Sequence, residues 1–307
     1  MIQSIVCLTD QVLKEPGELV WKTKNVQPKL ATVPFKIRVR FTHARQRIAS
    51  KYRQLGPTYP KSLNDGPHSP MKLTHISLPS LTRYSHASNL QDALVRRLLA
   101  SKADPNLPVP PPSIITAEFH PVYTCGRREI GTVDSAQQTY LRANGRAEFH
   151  EALRGGQTTF HGPGQLVAYP VIDLRRHKLT PRCYVHFLEH VLIRTCGRYG
   201  LDAMRTEHTG VWTSPERKIA AIGVHLRRNV TSHGIGLNVS TDLWWFDRIV
   251  ACGLADKEAT SFDREGVMGK SVKEVGHVFV DEFAKGLDGV DGVERRPEED
   301  LKLHNTA

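Results

Sequence analysis

Three separated segments of this sequence contain residue types that can take part in nucleophilic chemistry. Residues 154–165 contain four glycines and one proline around one arginine and one histidine. Glycine lets the backbone reach unusual conformations and lets another molecule approach closely, so this stretch is predicted to be a contact loop. Lys218 begins an apolar run that ends at Gly223, and Cys252 follows another at residues 249–251. Together these segments predict a site assembled from distant parts of the chain.

Cys252 and Lys218 each have a structural and a catalytic interpretation. A cysteine after an apolar run is usually a small buried hydrophobe, and a lysine usually stays at the surface because it is seldom buried unpaired. A lysine at the mouth of a core strand can instead place its ammonium beside a thiol. The ammonium then lowers the pKa of the thiol and favours a nucleophilic thiolate. On the residues alone, both interpretations remain open.

His161 is the titratable side chain of the predicted contact loop. Its neighbours Gly162 and Gly164 offer little packing, so we predict a binding role for it rather than a core position. Four other histidines lack the spacing of metal ligands, and no metal site is predicted. They are His120, His208, His225 and His233.

The net charge of +11 is distributed unevenly along the chain. Residues 1–70 carry 12 Lys and Arg against 4 Asp and Glu, whereas residues 71–307 carry 30 against 27. The near-neutral body argues against a nucleic-acid-binding protein. No apolar run is long enough to span a membrane. Five scattered cysteines without a CxxC pair argue against a disulfide framework and favour a reducing compartment.

Residues 1–70 form a basic, proline-containing leader with no acidic residue between Glu18 and Asp65. A basic, acid-poor N-terminal segment is typical of an organelle transit segment. Two alternatives to a transit segment stay open. One is a disordered basic arm that binds polyanions without specificity, and the other is a gene-model artefact with the natural start at Met71. In each case we expect little stable structure in this segment.

Hydrophobic periodicity and capping signals predict a mixed α/β domain. Strands are predicted at residues 72–78, 114–119, 166–174, 210–213, 218–228 and 233–240. Helices are predicted to start at Ser88, Ser135, Thr180, Leu243 and Ser271. Ser88 and Ser271 each precede a Gln or Glu by three residues, which is a capping-box pattern. Pro170 is expected to mark a bulge or an edge, and residues 288–307 are expected to form a polar, frayed tail.

Six ordered motifs resemble the lipoyl(octanoyl) transferase family of the biotin and lipoate protein ligase superfamily. They lie at residues 120–128, 154–174, 210–212, 218–223, 232–239 and 249–253. Any one of them would be a weak signal, whereas six in the family's order cover most of residues 71–287. The resemblance implies a catalytic domain over that span, built as an α/β (α+β) fold with a mixed β-sheet flanked by helices.

The resemblance also implies an activity and a set of site residues. The family transfers an octanoyl group from acyl carrier protein to a lysine of lipoyl-dependent enzyme subunits, through a cysteine thioester that matches Cys252. Lys218 matches the lysine that lowers the pKa of that cysteine. The implied substrate-binding residues are Arg154, Gly155, Gly156, Gln157, Thr158, Thr159, Phe160, His161, Ala221, Ile222, Gly223, Gly234, Ile235 and Gly236.

Partners and location follow as expectations from the same resemblance. The donor would be octanoyl-acyl carrier protein, whose phosphopantetheine carries the acyl group, and no separate cofactor is expected. The acceptors would be apo lipoyl domains of 2-oxoacid dehydrogenases and the glycine-cleavage H protein. With the basic leader, the enzyme is expected to be mitochondrial and monomeric, without a nucleic-acid or membrane partner. Two alternatives are an ATP-dependent lipoate-protein ligase and a thioesterase that releases the same acyl-enzyme to water.

Overall fold

A mixed β-sheet is the centre of the computed structural model, which describes residues 71–79, 81–249 and 257–301. The strands in chain order are β1 (Met71–Ser77), β2 (Ser113–Ala117), β3 (Val122–Cys125), β4 (Glu148–Glu151), β5 (Thr159–His161), β6 (Gln165–Val171), β7 (Val211–Trp212), β8 (Arg217–Arg227), β9 (Val230–Asn238), β10 (Glu258–Ala259) and β11 (Val290–Arg296). The predicted mixed α/β fold is confirmed.

The main sheet of the described residues has the strand order β10-β8-β9-β6-β2-β1-β11, with β7 paired to β8. The pairs β8–β9, β9–β6 and β6–β2 are antiparallel, whereas β10 is parallel to β8, and β1 is parallel to both β2 and β11. A separate small sheet has the order β4-β3-β5. The local sequence patterns do not predict this small sheet.

Helices cover both faces of the main sheet, and a short helix packs in the core of the small sheet. They are α1 (Tyr84–Ala103), α2 (Ser135–Leu141), α3 (Pro181–Gly197) and α4 (Val272–Gly286). Helices α3 and α4 pack with one face of the sheet in the larger hydrophobic core, and α1 packs against the other face in a second core. Burial of this apolar surface is the main stabilising contribution to the arrangement.

Capping side chains begin two of the helices where the sequence predicts. The Thr180 side chain accepts a hydrogen bond from the Cys183 backbone N–H, and the Ser271 side chain accepts one from the Glu274 N–H. Each bond satisfies an N–H that lacks a partner within the helix. The predicted start at Ser88 is wrong, because α1 begins four residues earlier and buries Tyr84 and Ala87 against the second core.

Pro170 lies inside β6, although the sequence predicts a bulge or an edge at this position. Strand β6 pairs with β2 through Pro170 itself, whereas its pairing with β9 stops at Ala168. The hydroxyl of Thr231 donates to the Pro170 carbonyl oxygen on that side. A proline is tolerated in this interior strand because no ladder hydrogen bond to β9 requires a backbone N–H at this position.

Residues 290–296, which are expected to lie in a polar frayed tail, instead form β11 alongside β1. Val290 and Val293 pack against the larger core, so two side chains of this polar stretch are anchored. The expectations for residues 1–70 lie outside the described residues. Among the described helices, none has the length and apolar character needed to cross a membrane.

Candidate active site

A cavity lies where the predicted contact loop meets β8 and β9. Fourteen predicted residues line it, drawn from all three of these segments, and they include every implied substrate-binding residue except Phe160. They are Arg154, Gly155, Gly156, Gln157, Thr158, Thr159, His161, Lys218, Ala221, Ile222, Gly223, Gly234, Ile235 and Gly236. Phe160 instead stacks on Trp245 at 4.9 Å between ring centroids, in a core of the small sheet. The structure therefore brings together distant segments that the sequence singles out.

Glycines allow the contact loop to lie directly on the main sheet. The backbone N–H of Gly155 donates to the Val224 carbonyl oxygen at 3.0 Å. A Cβ atom on Gly223 would come within 3.0 Å of the Gly155 carbonyl oxygen, and one on Gly126 would come within 1.8 Å of the Gly156 oxygen. Larger residues would push the loop away, so these glycines set the close approach that forms the cavity wall.

Arg154 ties the contact loop to the small sheet. Its side chain is buried and donates to the Thr124 hydroxyl and carbonyl oxygens, and to the carbonyl oxygens of Gly155 and Gln157. Burial lowers the pKa of the guanidinium. These acceptors compensate the buried charge with hydrogen bonds, because no ion pair to Arg154 occurs among the described residues. The arginine thus fixes the shape of the loop as well as lining the cavity.

His161 is buried, and the expectation that it lacks packing is wrong. It belongs to β5, and its ring lies edge-on to Phe119 at 6.0 Å. Its Nδ1 is 2.6 Å from Gln165 Oε1, and the Gln165 amide donates to Asn238 Oδ1 at 2.9 Å. Burial lowers the pKa of His161 to about 4, so the imidazole is neutral near pH 7. Its predicted binding role stays a prediction.

Lys218 is buried at the cavity, which differs from the default expectation of a surface lysine. Its Nζ donates to the Thr209 carbonyl oxygen at 2.9 Å and lies 5.2 Å from the Trp212 ring centroid. Gly210, with φ of +128°, leaves room for it, since a Cβ there would come within 2.4 Å of Lys218 Cε. The fold therefore holds an ammonium group in a defined position at the cavity wall.

Cys252, the predicted nucleophile, lies outside the described residues. The described residues on either side of it, Ile249 and Ala259, both line the cavity. Ala259 is also the strand partner of Lys218 in the β8–β10 pair. The chain therefore borders the cavity both before and after the segment that contains the cysteine.

Several cavity residues were not found from the sequence. They are Tyr84, Thr124, Gln165, Tyr169, Ala220, His233, Asn238, Phe246, Ile249 and Ala259. Tyr169 lies in an apolar strand and looks like a core residue, and Tyr84 precedes the predicted helix start. Gln165 lies in the contact loop itself, so its position was the available signal. No group of three or more metal-ligating side chains occurs among the residues described.

Comparison with known proteins agrees with this geometry. The model of the lipoyl protein ligase A/B catalytic domain matches residues 83–284. The chain belongs to this family. A probable octanoyltransferase of Schizosaccharomyces pombe is 48% identical over 211 residues, which cover 66% of this chain and 94% of the relative. The mitochondrial octanoyl-[acyl-carrier-protein]:protein N-octanoyltransferase of Homo sapiens is 42% identical, over 65% of this chain and 87% of its own.

Solved structures with the same fold include lipoate-protein ligases. A lipoate-protein ligase A bound with ATP aligns with a TM-score of 0.54 at 14% identity, over 76% of this chain and 92% of that chain. A putative lipoate protein ligase from T. acidophilum with bound lipoic acid aligns with a TM-score of 0.53 over the same shares. At this identity the likeness shows the fold alone. The identities to octanoyltransferases make the protein an acyltransferase of that family.

Proposed function

We propose that the protein transfers an octanoyl group from octanoyl-acyl carrier protein to a lysine of lipoyl-dependent enzyme subunits, through a thioester on Cys252. The observation that carries this proposal is the position of Lys218. Its buried ammonium lines the cavity that the loop and the β8–β9 strands form, and its strand partner Ala259 follows the segment that holds the cysteine. The names of the relatives supply the octanoyl group and the protein acceptor.

The proposed reaction is two successive acyl transfers that require no ATP. The Cys252 thiolate attacks the thioester carbonyl of the donor, the new C–S bond forms, and the bond to the phosphopantetheine sulfur breaks. One thioester replaces another, so this step is close to balanced in free energy. The acceptor lysine amine then attacks the acyl-enzyme, forms an amide and releases the thiolate. Dividing a difficult transfer into two easier steps is the advantage of covalent catalysis.

Lys218 supplies the proton chemistry in this scheme. Its ammonium favours the thiolate form of Cys252, donates a proton to the departing phosphopantetheine thiolate, and as a neutral amine takes one from the attacking lysine. The hydrogen bond to the Thr209 carbonyl oxygen and the face of Trp212 hold Nζ in place for both steps. A lysine with three donors can keep one anchoring bond while presenting another proton to the cavity.

The acceptors that we propose are apo lipoyl domains of 2-oxoacid dehydrogenases and the glycine-cleavage H protein. We also propose that the protein acts in mitochondria. Support comes from relatives in Danio rerio, Homo sapiens and Kluyveromyces lactis whose names include that compartment. The basic, acid-poor character of residues 1–70 agrees with this location.

Intact-protein mass spectrometry tests the proposal. The purified chain is mixed with octanoyl-acyl carrier protein without ATP, and an apo lipoyl domain is then added. We expect a mass gain of one octanoyl group that transfers to the domain and that is lost in Cys252→Ser. Cys183→Ser is the matched control and should retain the adduct, because Cys183 lies on α3 and does not line the cavity.

The same experiment separates the alternative activities. Modification of the acceptor that needs ATP and free octanoate would identify a ligase. Loss of the adduct to water at the same rate with and without the acceptor would identify a thioesterase. Normal transfer by the Cys252→Ser protein would refute the nucleophile.

A further inference from the structure

Two aromatic side chains in contact with each other form part of the cavity wall. Tyr169 and His233 both line it, and both are buried, with 4% and 7% of their surface exposed. Their rings lie 5.5 Å apart, nearly perpendicular to each other. Neither residue has a role in the acyl-transfer scheme above, so the scheme does not account for their presence in the cavity wall.

The register of the β8–β9 pair gives their position along the cavity. His233 is paired with Val224, and Gly234 with Gly223. The ammonium of Lys218 is level with Ala220, because a Cβ on Gly210 would lie 3.0 Å from Lys218 Nζ and 2.7 Å from the Ala220 carbonyl oxygen.

The distance between these two levels matches the length of the proposed substrate. Val224 lies four residue steps along the strand from Ala220, which is about 13 Å at roughly 3.3 Å per residue. An extended octanoyl thioester spans about 10 Å from sulfur to terminal carbon, given C–C bonds of about 1.5 Å in a staggered chain. If the thioester sulfur lies beside the Lys218 ammonium, the terminal methyl group reaches the level of the paired residues His233 and Val224.

We propose that His233, with Tyr169 packed against it, is the stop that limits the acyl chain to octanoyl length. This inference rests on the proposed function, because it takes the reacting sulfur to lie beside Lys218. The β8 and β9 residues between the two levels that line the cavity are small or aliphatic: Ala221, Ile222, Gly223, Gly234, Ile235 and Gly236. They suit an alkyl chain, and the chain ends where the first ring blocks it.

The backbone of His233 is held in an uncommon conformation. Its φ of +54° lies in the left-handed region, which is uncommon for a residue other than glycine. The backbone N–H of His233 donates to Oε1 of the buried Gln91 on α1, which fixes this conformation. Burial lowers the pKa of His233 to about 3, so the ring is neutral near pH 7 and suits an apolar chain end.

The test is the chain-length preference of His233→Gly. Glycine accepts a positive φ without strain, so this substitution removes the ring and suits the backbone. His225→Gly is the matched control, because His225 lies on the neighbouring strand β8 and does not line the cavity. Hexanoyl, octanoyl and decanoyl thioesters of acyl carrier protein are compared as donors to an apo lipoyl domain.

We expect the ratio of decanoyl to octanoyl kcat/KM to rise about 15-fold in His233→Gly, since two more methylenes at about fourfold each become accommodated. His225→Gly should keep the wild-type ratio. His233→Asn tests the same ratio with a second side chain that tolerates a positive φ and lacks the ring, so the decanoyl to octanoyl ratio should rise here too, by a smaller factor. It also serves if His233→Gly does not fold.

The outcomes distinguish this inference from the proposed function. An unchanged ratio of decanoyl to octanoyl kcat/KM in folded His233→Gly, or in folded His233→Asn where the glycine variant does not fold, would overturn the stop. Absence of octanoyl transfer by the wild-type protein would refute the proposed function instead. The stop would then be judged by calorimetric binding of octanoic and decanoic acids, where His233→Gly but not His225→Gly should gain affinity for the longer acid.

Discussion

Gly210→Ala gives a sharp test of whether the position of the Lys218 ammonium matters. The added Cβ would lie 2.4 Å from Lys218 Cε, 2.7 Å from the Ala220 carbonyl oxygen and 3.0 Å from Lys218 Nζ. Nζ must therefore move by about 1 Å, and displacements of that size can reduce a catalysed rate by about 100-fold. The positive φ of +128° adds a folding cost of about 1–3 kcal/mol.

The matched control is Gly200→Ala. Gly200 also has a positive φ, of +74°, but a Cβ there would meet no atom within 4 Å. Alanine in this conformation costs about 1–2 kcal/mol without moving the lysine. Urea denaturation of both variants measures the folding cost, and acyl-enzyme formation followed by mass spectrometry measures the rate under conditions where both are folded.

The expected result is a loss of stability in both variants and a loss of rate in Gly210→Ala alone. Equal rates in the two folded variants would show that the ammonium can move without consequence. That result would refute the assignment of proton transfer to Lys218 in its present position.

Three further predictions follow from the site. Lys218→Met should slow acyl-enzyme formation by about 100-fold or more at pH 7. In stopped-flow assays the rate of this variant should partly recover as the pH rises towards about 8.5, because a free thiol ionises unaided there. A rate that does not change with pH would contradict this prediction. Arg154→Leu should lower the urea unfolding free energy by about 3 kcal/mol, because buried carbonyl oxygens around Thr124 lose their donor; an unchanged midpoint would disprove that role. His161 and His233 have folded pKa values lowered to about 4 and 3, so the unfolded chain binds more protons below about pH 6.5. The free energy of unfolding should therefore be highest above that pH and fall as the pH drops towards 4. His161→Gln should lose less of its melting temperature on acidification than the wild type. An equal loss in both proteins would argue against a contribution of His161 to the acid sensitivity.

Local signals predicted the parts of the fold that depend on nearby residues. Thr180 and Ser271 were correctly assigned as helix caps because a cap is made with a backbone group three residues away. The segments of β8 and β9 were also predicted, since their apolar runs extend over many residues. The start of α1 was misplaced because burial of Tyr84 against a distant strand, rather than a local cap, sets it.

The rest required pairing between distant segments, which no local pattern encodes. The small sheet joins β3 to β5 across a stretch that looks like a loop, and this pairing is what buries His161. Strand β11 exists because a polar stretch finds a parallel partner at β1. For the candidate site, glycine-rich composition indicated the contact loop, whereas the ring of His233 is visible only after the hairpin register places it at the cavity.

The cavity lies at a seam between two sheets, and that seam has a consequence for fidelity. It is joined by the Gly155 hydrogen bond to Val224 and by the contact between Gly223 and Gly155. Partial opening of such a contact costs less than global unfolding and would let water reach an acyl thioester. On the proposed mechanism, the strength of the seam would therefore set how long the acyl-enzyme survives before the acceptor protein binds. A looser seam on the same catalytic residues would turn a transferase into an enzyme that wastes its acyl group by hydrolysis.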